Sequence, residues 1–215
     1  PQTAILYPLH WPLYLLGWLL GNGPWLAVGR AIIHYFVAAL GCHILALSYR
    51  ASHALSLLFA LSYTLSGRLL KSKDNAGLWT MVWLPWLMWS THQLILRPTY
   101  RKSLILAGVT TLAFYAGYPP NLARSFVFLS IWIIYQLYLT TKKLSKDLRI
   151  SYLTNVGKWI SLSGGITILL CSPGMISTIQ VLKDSERSQL GLGQLLASRF
   201  QLVDTLDLIV PRAIH

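Results

Sequence analysis

Long stretches without a charged residue recur along this chain, and their lengths predict helices that cross a membrane. Six of them contain no Asp, Glu, Lys or Arg and have the roughly 17 to 25 residues that a bilayer-spanning helix needs. They cover residues 31–49, 51–67, 75–96, 103–123, 125–141 and 159–182. The pattern predicts an all-α fold, a polytopic transmembrane bundle of about six spans.

The segment before the first span is also uncharged, but prolines and glycines divide it. Between Pro8 and Pro24 they leave one short apolar piece, from about Leu9 to Leu20. Such a piece is too short to cross a bilayer. We therefore expect it to form an interfacial or re-entrant helix.

The last part of the chain carries charges too often for the hydrocarbon core of a membrane. Its apolar residues recur with the period of a helix, which predicts an amphipathic helix at the membrane interface. This pattern is carried by Leu195, Leu196, Arg199, Phe200 and Leu202. The predicted organisation is an interfacial segment over 1–24, a transmembrane bundle over 25–180 and an amphipathic tail over 181–215.

The composition narrows the class of protein that this pattern allows. Hydrophobic residues make up 54% and charged residues 11% of the chain, against roughly 45 to 50% and about 25% in a soluble domain. A freely soluble enzyme is thereby disfavoured. The net charge of +12 would suggest a nucleic-acid partner in a polar protein. In so apolar a chain we expect no nucleic acid and expect membrane lipids as partners.

The basic residues are divided unequally between the two sides of the predicted bundle. Eight lie in the loops after the first, third and fifth spans, namely Arg50, Arg97, Arg101, Lys102, Lys142, Lys143, Lys146 and Arg149. Three, Arg68, Lys71 and Lys73, lie in the loop after the second span, on the opposite side. Because Lys and Arg favour cytoplasmic loops, the first side is predicted to be cytoplasmic. A site built from several loops would then lie on the outer face, which carries 1–24, 68–77, 118–121 and the tail.

Redox, metal and transport chemistry find little support in the sequence. Cys42 and Cys171 are predicted to differ in depth by roughly 10 Å, beyond the approximately 7 Å limit for a disulfide. No two histidines have the i, i+4 spacing that places metal ligands on one helical face. No predicted span contains a carboxylate, which weakens a transporter interpretation. His34 is predicted near mid-membrane, where we expect a neutral imidazole bonded to a neighbouring helix.

Two groups of residues are candidates for binding a substrate. Trp79 and Trp83 share one face of the third span with Trp86 and Trp89, beside a kink expected at Pro85. They could stack on a sugar ring or an isoprenoid chain, although anchoring at the interface and helix packing, which also explain such aromatics, are favoured.

The second group is the only concentrated charge on the predicted outer face. It consists of Arg68, Lys71, Lys73 and Asp74. Its cations are suited to the phosphate of a lipid carrier. A solvated loop that contacts anionic headgroups is the alternative.

The order of several short motifs resembles the YfhO-type family of bacterial multi-pass membrane proteins, which is related to the GT-C glycosyltransferases. The motifs are Pro1 to Pro8, Ser48-Tyr49-Arg50, Ala60 to Gly67, Trp83-Leu84-Pro85, Ala116-Gly117-Tyr118-Pro119-Pro120, Pro173, Gln180, Ser185, Arg187 and Leu208 to Pro211. The resemblance covers nearly the whole chain. It departs from the family at Tyr118 and Pro120, where a His and a Gln are common, and at Lys73 to Asn75, where His-Pro is frequent.

The resemblance implies a GT-C-like protein of the bacterial plasma (inner) membrane. Such a protein transfers a sugar from a polyprenyl-phosphate donor to a cell-envelope acceptor on the outer face. The catalytic acidic loop of the family would precede Pro1, so we expect this chain to be an internal fragment. A divalent metal cofactor would then bind only through residues outside it.

Two hypotheses from different classes follow. In the leading one, the donor phosphate contacts Arg68, Lys71 or Lys73, with Arg124, Arg187 and Tyr118 as further candidates. In the alternative, the chain is a non-catalytic accessory subunit that packs against other membrane subunits. Transport is a distant third interpretation.

Overall fold

The structure is a computed structural model that describes residues 6–21, 23, 25–67, 69, 76–142 and 144–183. Every regular element in these residues is helical, which confirms the predicted all-α class. A 3₁₀ turn over Pro8–His10 precedes eight helices in the described ranges. They are α1 (Trp11–Leu20), α2 (Trp25–Ser48), α3 (His53–Thr64), α4 (Ala76–Met81), α5 (Leu84–Leu96), α6 (Tyr100–Tyr115), α7 (Pro119–Thr141) and α8 (Lys146–Lys183).

Three of these helices are long and apolar enough to cross a membrane. They are α2, α7 and the Lys146–Gln180 part of α8. Their outward side chains include exposed apolar residues such as Phe36 and Ile134, 66% and 69% exposed. Surfaces of this kind suit lipid rather than water. The chain is therefore a membrane protein with transmembrane helices, as the sequence predicted.

The count of six spans remains a prediction. The predicted span over 51–67 contains only the 12 residues of α3, and that over 103–123 contains the 16-residue α6, which begins earlier and ends at Tyr115. The predicted span over 75–96 is interrupted at Val82–Trp83, between α4 and α5. Pro85 occupies the first turn of α5, where its missing N–H costs nothing, so the expected kink is a complete break.

The short N-terminal helix predicted near Leu9 to Leu20 is confirmed by α1. Its ten residues span roughly 15 Å, about half the hydrocarbon core of a bilayer. Trp18 and Leu20 are 80% and 74% exposed, and Gly21 ends the helix with a positive φ of 83°. Its placement at the membrane interface remains a prediction.

A close helix crossing holds α5 against α2. A Cβ on Gly41 would lie 2.6 Å from the Cδ1 and Nε1 atoms of Trp86, so only glycine lets the indole approach this far. The Trp86 indole donates a hydrogen bond to the carbonyl of Val37, at 2.9 Å. Small residues that permit close approach are typical of helix pairs in membranes.

The helix ends gather at two opposite ends of the bundle. Ser103 donates to the carbonyl of Trp159 and Tyr115 to that of Leu170, both at 2.8 Å, so α6 and α8 run in the same direction. The basic end contains the described residues of the turns at 49–52, 97–99 and 142–145. There Tyr49 stacks on His92 with ring centroids 4.4 Å apart.

The opposite end is called the site end. It contains the 3₁₀ turn, the start of α2, helix α4 and the turn between α6 and α7. Residues up to Gly174 form one compact unit, and Met175 begins a second. The contacts described below all lie within the first unit.

Candidate functional site

Four separate segments meet at the site end in a buried aromatic cluster. The 3₁₀ turn and α1 contribute Tyr7, His10 and Tyr14, α2 contributes Arg30 and His34, α4 contributes Trp79, and the break after α4 contributes Trp83. We call these seven residues the histidine cluster. Tyr7, His10 and His34 are fully buried.

A chain of three hydrogen bonds fixes the tautomer of a neutral His34 ring. Its Nδ1 lies 2.6 Å from the carbonyl oxygen of Arg30, and a carbonyl only accepts, so Nδ1 carries the proton. Its Nε2, 3.2 Å from the Tyr7 hydroxyl, therefore accepts from that hydroxyl. Tyr7 in turn accepts from the Trp83 indole N–H at 2.9 Å. The partner of His34 outside its own helix is thus Tyr7, which precedes α1, and not a neighbouring helix as the sequence suggested.

Tyr7 is suited to donate in this chain because its phenol stays protonated. Burial raises the pKa of the Tyr7 hydroxyl far above its usual value, an effect that the Trp83 hydrogen bond opposes. The segment before α1 is thus fixed to both α2 and the start of α5 through neutral polar groups.

His10 is enclosed by rings and has no hydrogen-bond partner within the described residues. Its ring centroid lies 4.5 Å from Trp79, 4.9 Å from Tyr7, 5.3 Å from His34 and 5.9 Å from Tyr14. Neither ring nitrogen is hydrogen bonded. Leaving a buried polar atom unpaired costs about 1 to 3 kcal/mol.

The charge state of His10 follows from the same surroundings. Burial, aided by His34 and Arg30, lowers the pKa of His10 to about 4. His10 is therefore neutral at pH 7 and presents one N–H donor and one acceptor nitrogen with no partner.

Arg30 carries an unbalanced charge beside these rings. Its guanidinium carbon lies 5.3 Å from the ring centroid of Tyr14, and its buried Nε has no hydrogen-bond partner. The single carboxylate among the described residues is Asp147, which is exposed in the first turn of α8 at the basic end. The described part of the site end therefore attracts anions.

The turn between α6 and α7 packs on the same helix that carries Trp79. Gly117 adopts a positive φ of 89°, which glycine permits without strain. The Tyr118 amide donates to the Thr80 hydroxyl and the Asn121 side-chain amide to the carbonyl of Gly77, both at 3.2 Å. The Arg124 guanidinium donates to the Asn121 side-chain oxygen, also at 3.2 Å.

Some of the predicted binding residues lie close together in the structure, and others lie outside the described residues. Arg68, Lys71, Lys73, Asp74 and Arg187 lie outside the described residues. Tyr118 and Arg124 are exposed beside α4. Trp79 and Trp83 join the histidine cluster, but Trp83 is only 5% exposed and its N–H is used by Tyr7.

The four tryptophans do not form one continuous stacking surface, because the helix breaks between Trp79 and Trp86. Trp86 fills the crossing of α2 and α5, and Trp89 lines a cavity at the basic end. Sequence reasoning missed Tyr7, His10 and Arg30. Arg30 is the one cation directly before the first predicted span, and this isolated charge is the sequence signal that could have identified it.

Within the described ranges, no group of three or more His, Cys, Asp or Glu residues could hold a metal ion. Comparisons with family models, curated proteins and solved structures returned no match for this chain. The function proposed below therefore rests on the geometry and the charge of the site.

Proposed function

We propose that this chain belongs to an integral membrane glycosyltransferase-like protein of the GT-C type. It transfers a sugar from a polyprenyl-phosphate donor to a cell-envelope acceptor on the outer face of a bacterial plasma membrane. The observation that supports this most is the unbalanced charge of Arg30 next to the unpartnered imidazole of His10. A phosphate group supplies the negative charge and the acceptor oxygens that the half-buried Arg30 guanidinium lacks among the described residues.

The depth of Arg30 suits a carrier lipid. It lies five residues after Trp25, the first residue of α2, which is roughly 7 to 8 Å along the helix. The phosphate of a polyprenyl carrier occupies the membrane–water boundary, while its isoprenoid chain lies in the hydrocarbon region. Exposed Arg124, held by Asn121 at the same end, is a second cation for the donor.

The charge distribution supports an outward orientation of the site end. Seven described cations lie in the turns and first helical turns of the basic end, namely Arg50, Arg97, Arg101, Lys102, Lys142, Lys146 and Arg149. The preference of Lys and Arg for cytoplasmic loops favours the basic end in the cytoplasm. The histidine cluster would then face the compartment where the acceptor is found.

The proposal assigns donor binding, and not the acid–base step, to the described residues. The described site end holds no carboxylate, and five of the six acidic residues of the chain lie outside the described ranges. In this proposal the catalytic acid, and any divalent metal, lie outside the described residues.

A second candidate function is a non-catalytic accessory subunit. The closure of the histidine cluster favours it, because His10 and His34 are fully buried and Trp83 nearly so. The cluster would then serve only to fix the N-terminal segment to the bundle. The gene sequence upstream of Pro1 helps to separate the two functions, since an acidic outer loop after a further span supports the enzyme.

Donor binding by the purified full-length protein tests the proposal directly. Arg30→Gln should weaken binding of a polyprenyl-phosphate sugar about tenfold or more, because a lost charge-assisted hydrogen bond is worth roughly 1.5 to 3 kcal/mol. Arg149→Gln, which removes an exposed charge at the basic end, serves as the matched control. Unchanged donor affinity in Arg30→Gln with a normal melting temperature would contradict the proposal and favour the accessory subunit.

A further inference from the structure

A cavity at the basic end lies between α5 and α6. Its lining consists of Trp89, Ser90 and Gln93 from α5 with Lys102 and Ile105 from α6. The volume of about 90 Å³ is several times the roughly 10 to 15 Å³ that one water molecule requires. The cavity is thus large enough for a small polar group such as a phosphate.

Lys102 lines this cavity, and no carboxylate in the described part of the chain pairs with it. Its ammonium donates to the backbone carbonyl of Gln93 at 2.8 Å and approaches the side-chain oxygen of Gln93 at 3.4 Å. Both partners are neutral. Burial, with a smaller contribution from Arg97, lowers the pKa of Lys102. A nearby anion would relieve both effects, since it favours the charged ammonium.

The polar and apolar linings are ordered along the helix axis. Lys102 and Gln93 lie toward the end of the bundle, whereas Trp89 lies one helical turn deeper, roughly 6 Å from Gln93 along α5. Ile105, also deeper, lines the cavity and is 45% exposed at the bundle surface. A glycerophospholipid has the same order, with a phosphate at the interface and acyl chains below it.

The charges around the cavity select for a net negative ligand. Arg97 and Arg101 are exposed beside it, and the same end holds Asp147 as its one described carboxylate. A zwitterionic headgroup would place its own cation among these cations. A singly anionic headgroup would not.

We propose that this cavity binds the phosphate of an anionic glycerophospholipid, with Lys102 as the phosphate ligand and Ile105 beside an acyl chain. The site is separate from the histidine cluster and does not depend on the proposed donor specificity. It also holds whichever end of the bundle faces the cytoplasm.

Native mass spectrometry of the purified protein tests this site, with phosphatidylglycerol and phosphatidylcholine of the same acyl chains as probes. The wild-type chain should retain phosphatidylglycerol at least about tenfold more strongly, and Lys102→Gln should lose about tenfold in that affinity. Lys102→Arg should keep it, because arginine also binds phosphate. Lys146→Gln is the matched control, since it removes one exposed charge at the same end and should leave retention unchanged.

Two further measurements decide the remaining outcomes. Ile105→Trp keeps the charge but fills the opening, so it should abolish retention even if Lys102→Gln proves too unstable to compare. Inorganic phosphate at millimolar concentration should not displace the lipid. Displacement by phosphate would show a soluble anion site instead, and wild-type retention in both Lys102→Gln and Ile105→Trp would overturn the proposal.

Discussion

Arg30 at the site end and Lys102 at the basic end are both cations without a carboxylate partner among the described residues, but their surroundings differ. Lys102 donates to two oxygens of Gln93 and borders an open cavity. The Nε of Arg30 is buried without a partner, among rings that leave His10 unpartnered as well. The comparison shows two different surroundings for an unbalanced charge. Neutral oxygens accept hydrogen bonds from Lys102 at an accessible surface. Arg30 lies among rings, and its buried Nε has no hydrogen-bond partner among the described residues.

The largest expected effect is a loss of folding stability on acidification, which should arise at the site end. The pKa of His10 is about 4 in the folded chain and about 6.5 when exposed, so the unfolded chain takes up the proton first as the pH falls. Stability contributed by neutral His10 is therefore complete above about pH 6.5 and is lost progressively down to about pH 4. The difference amounts to about 3 kcal/mol.

Melting temperature in detergent between pH 7.5 and 4 measures this loss, with His10→Leu as the comparison. The leucine cannot titrate and leaves no unpaired nitrogen, so the variant should be at least as stable as wild type at pH 7 and should lose less on acidification. Equal pH dependence in the two proteins would show that His10 is not the group responsible.

A substitution at the crossing of α2 and α5, between the two ends of the bundle, should destabilise both ends together. Gly41→Ala places a methyl group 2.6 Å from the Trp86 ring, which must move and release its hydrogen bond to Val37. We expect a loss of about 2 kcal/mol in unfolding free energy from overpacking and the lost bond.

Gly108→Ala supplies the control for that crossing. Nothing lies within 4 Å of a Cβ at Gly108, so alanine there should be neutral or stabilising by up to about 1 kcal/mol. Equal melting temperatures for the Gly41 and Gly108 variants would show that the close approach of α2 and α5 contributes nothing to stability.

The smallest expected effect concerns the basic end alone. Arg50 has a φ of 63° in the turn after α2, where the Ala51 amide donates to the carbonyl of Ala46 and the Arg50 amide to that of Leu47. This is a Schellman ending, which normally uses glycine. Arg50→Gly should be about 1 kcal/mol more stable than Arg50→Ala, as thermal unfolding would measure. A stability no higher than that of the alanine variant would contradict backbone strain at this turn.

The helical class was predictable because uncharged length alone limits what a segment can become in a membrane. Element boundaries were less predictable. The predicted span from 159 begins 13 residues after the start of α8 at Lys146, because charges restrict burial in lipid but not helix formation. Pro85 signalled an irregularity, yet only packing decided that the helix breaks fully before it.

The candidate site was predictable only in part. The spacing of Trp79 and Trp83 marked one face of a helix, and His34 stood out by its depth. Tyr7 and His10 belong to a segment whose sequence shows no charge and no motif for a buried site. Their roles depend on tertiary contacts between distant segments, which no local pattern encodes.

The hydrogen bond from Trp83 to Tyr7 also bears on the order of events during synthesis. The two residues are 76 positions apart, and a ribosome adds roughly 5 to 20 residues per second. For several seconds at least, Tyr7 has been synthesised but Trp83, which donates to its hydroxyl, has not. The other partner of the Tyr7 hydroxyl, His34, is only 27 positions away, so the segment around Tyr7 can contact α2 before it contacts Trp83.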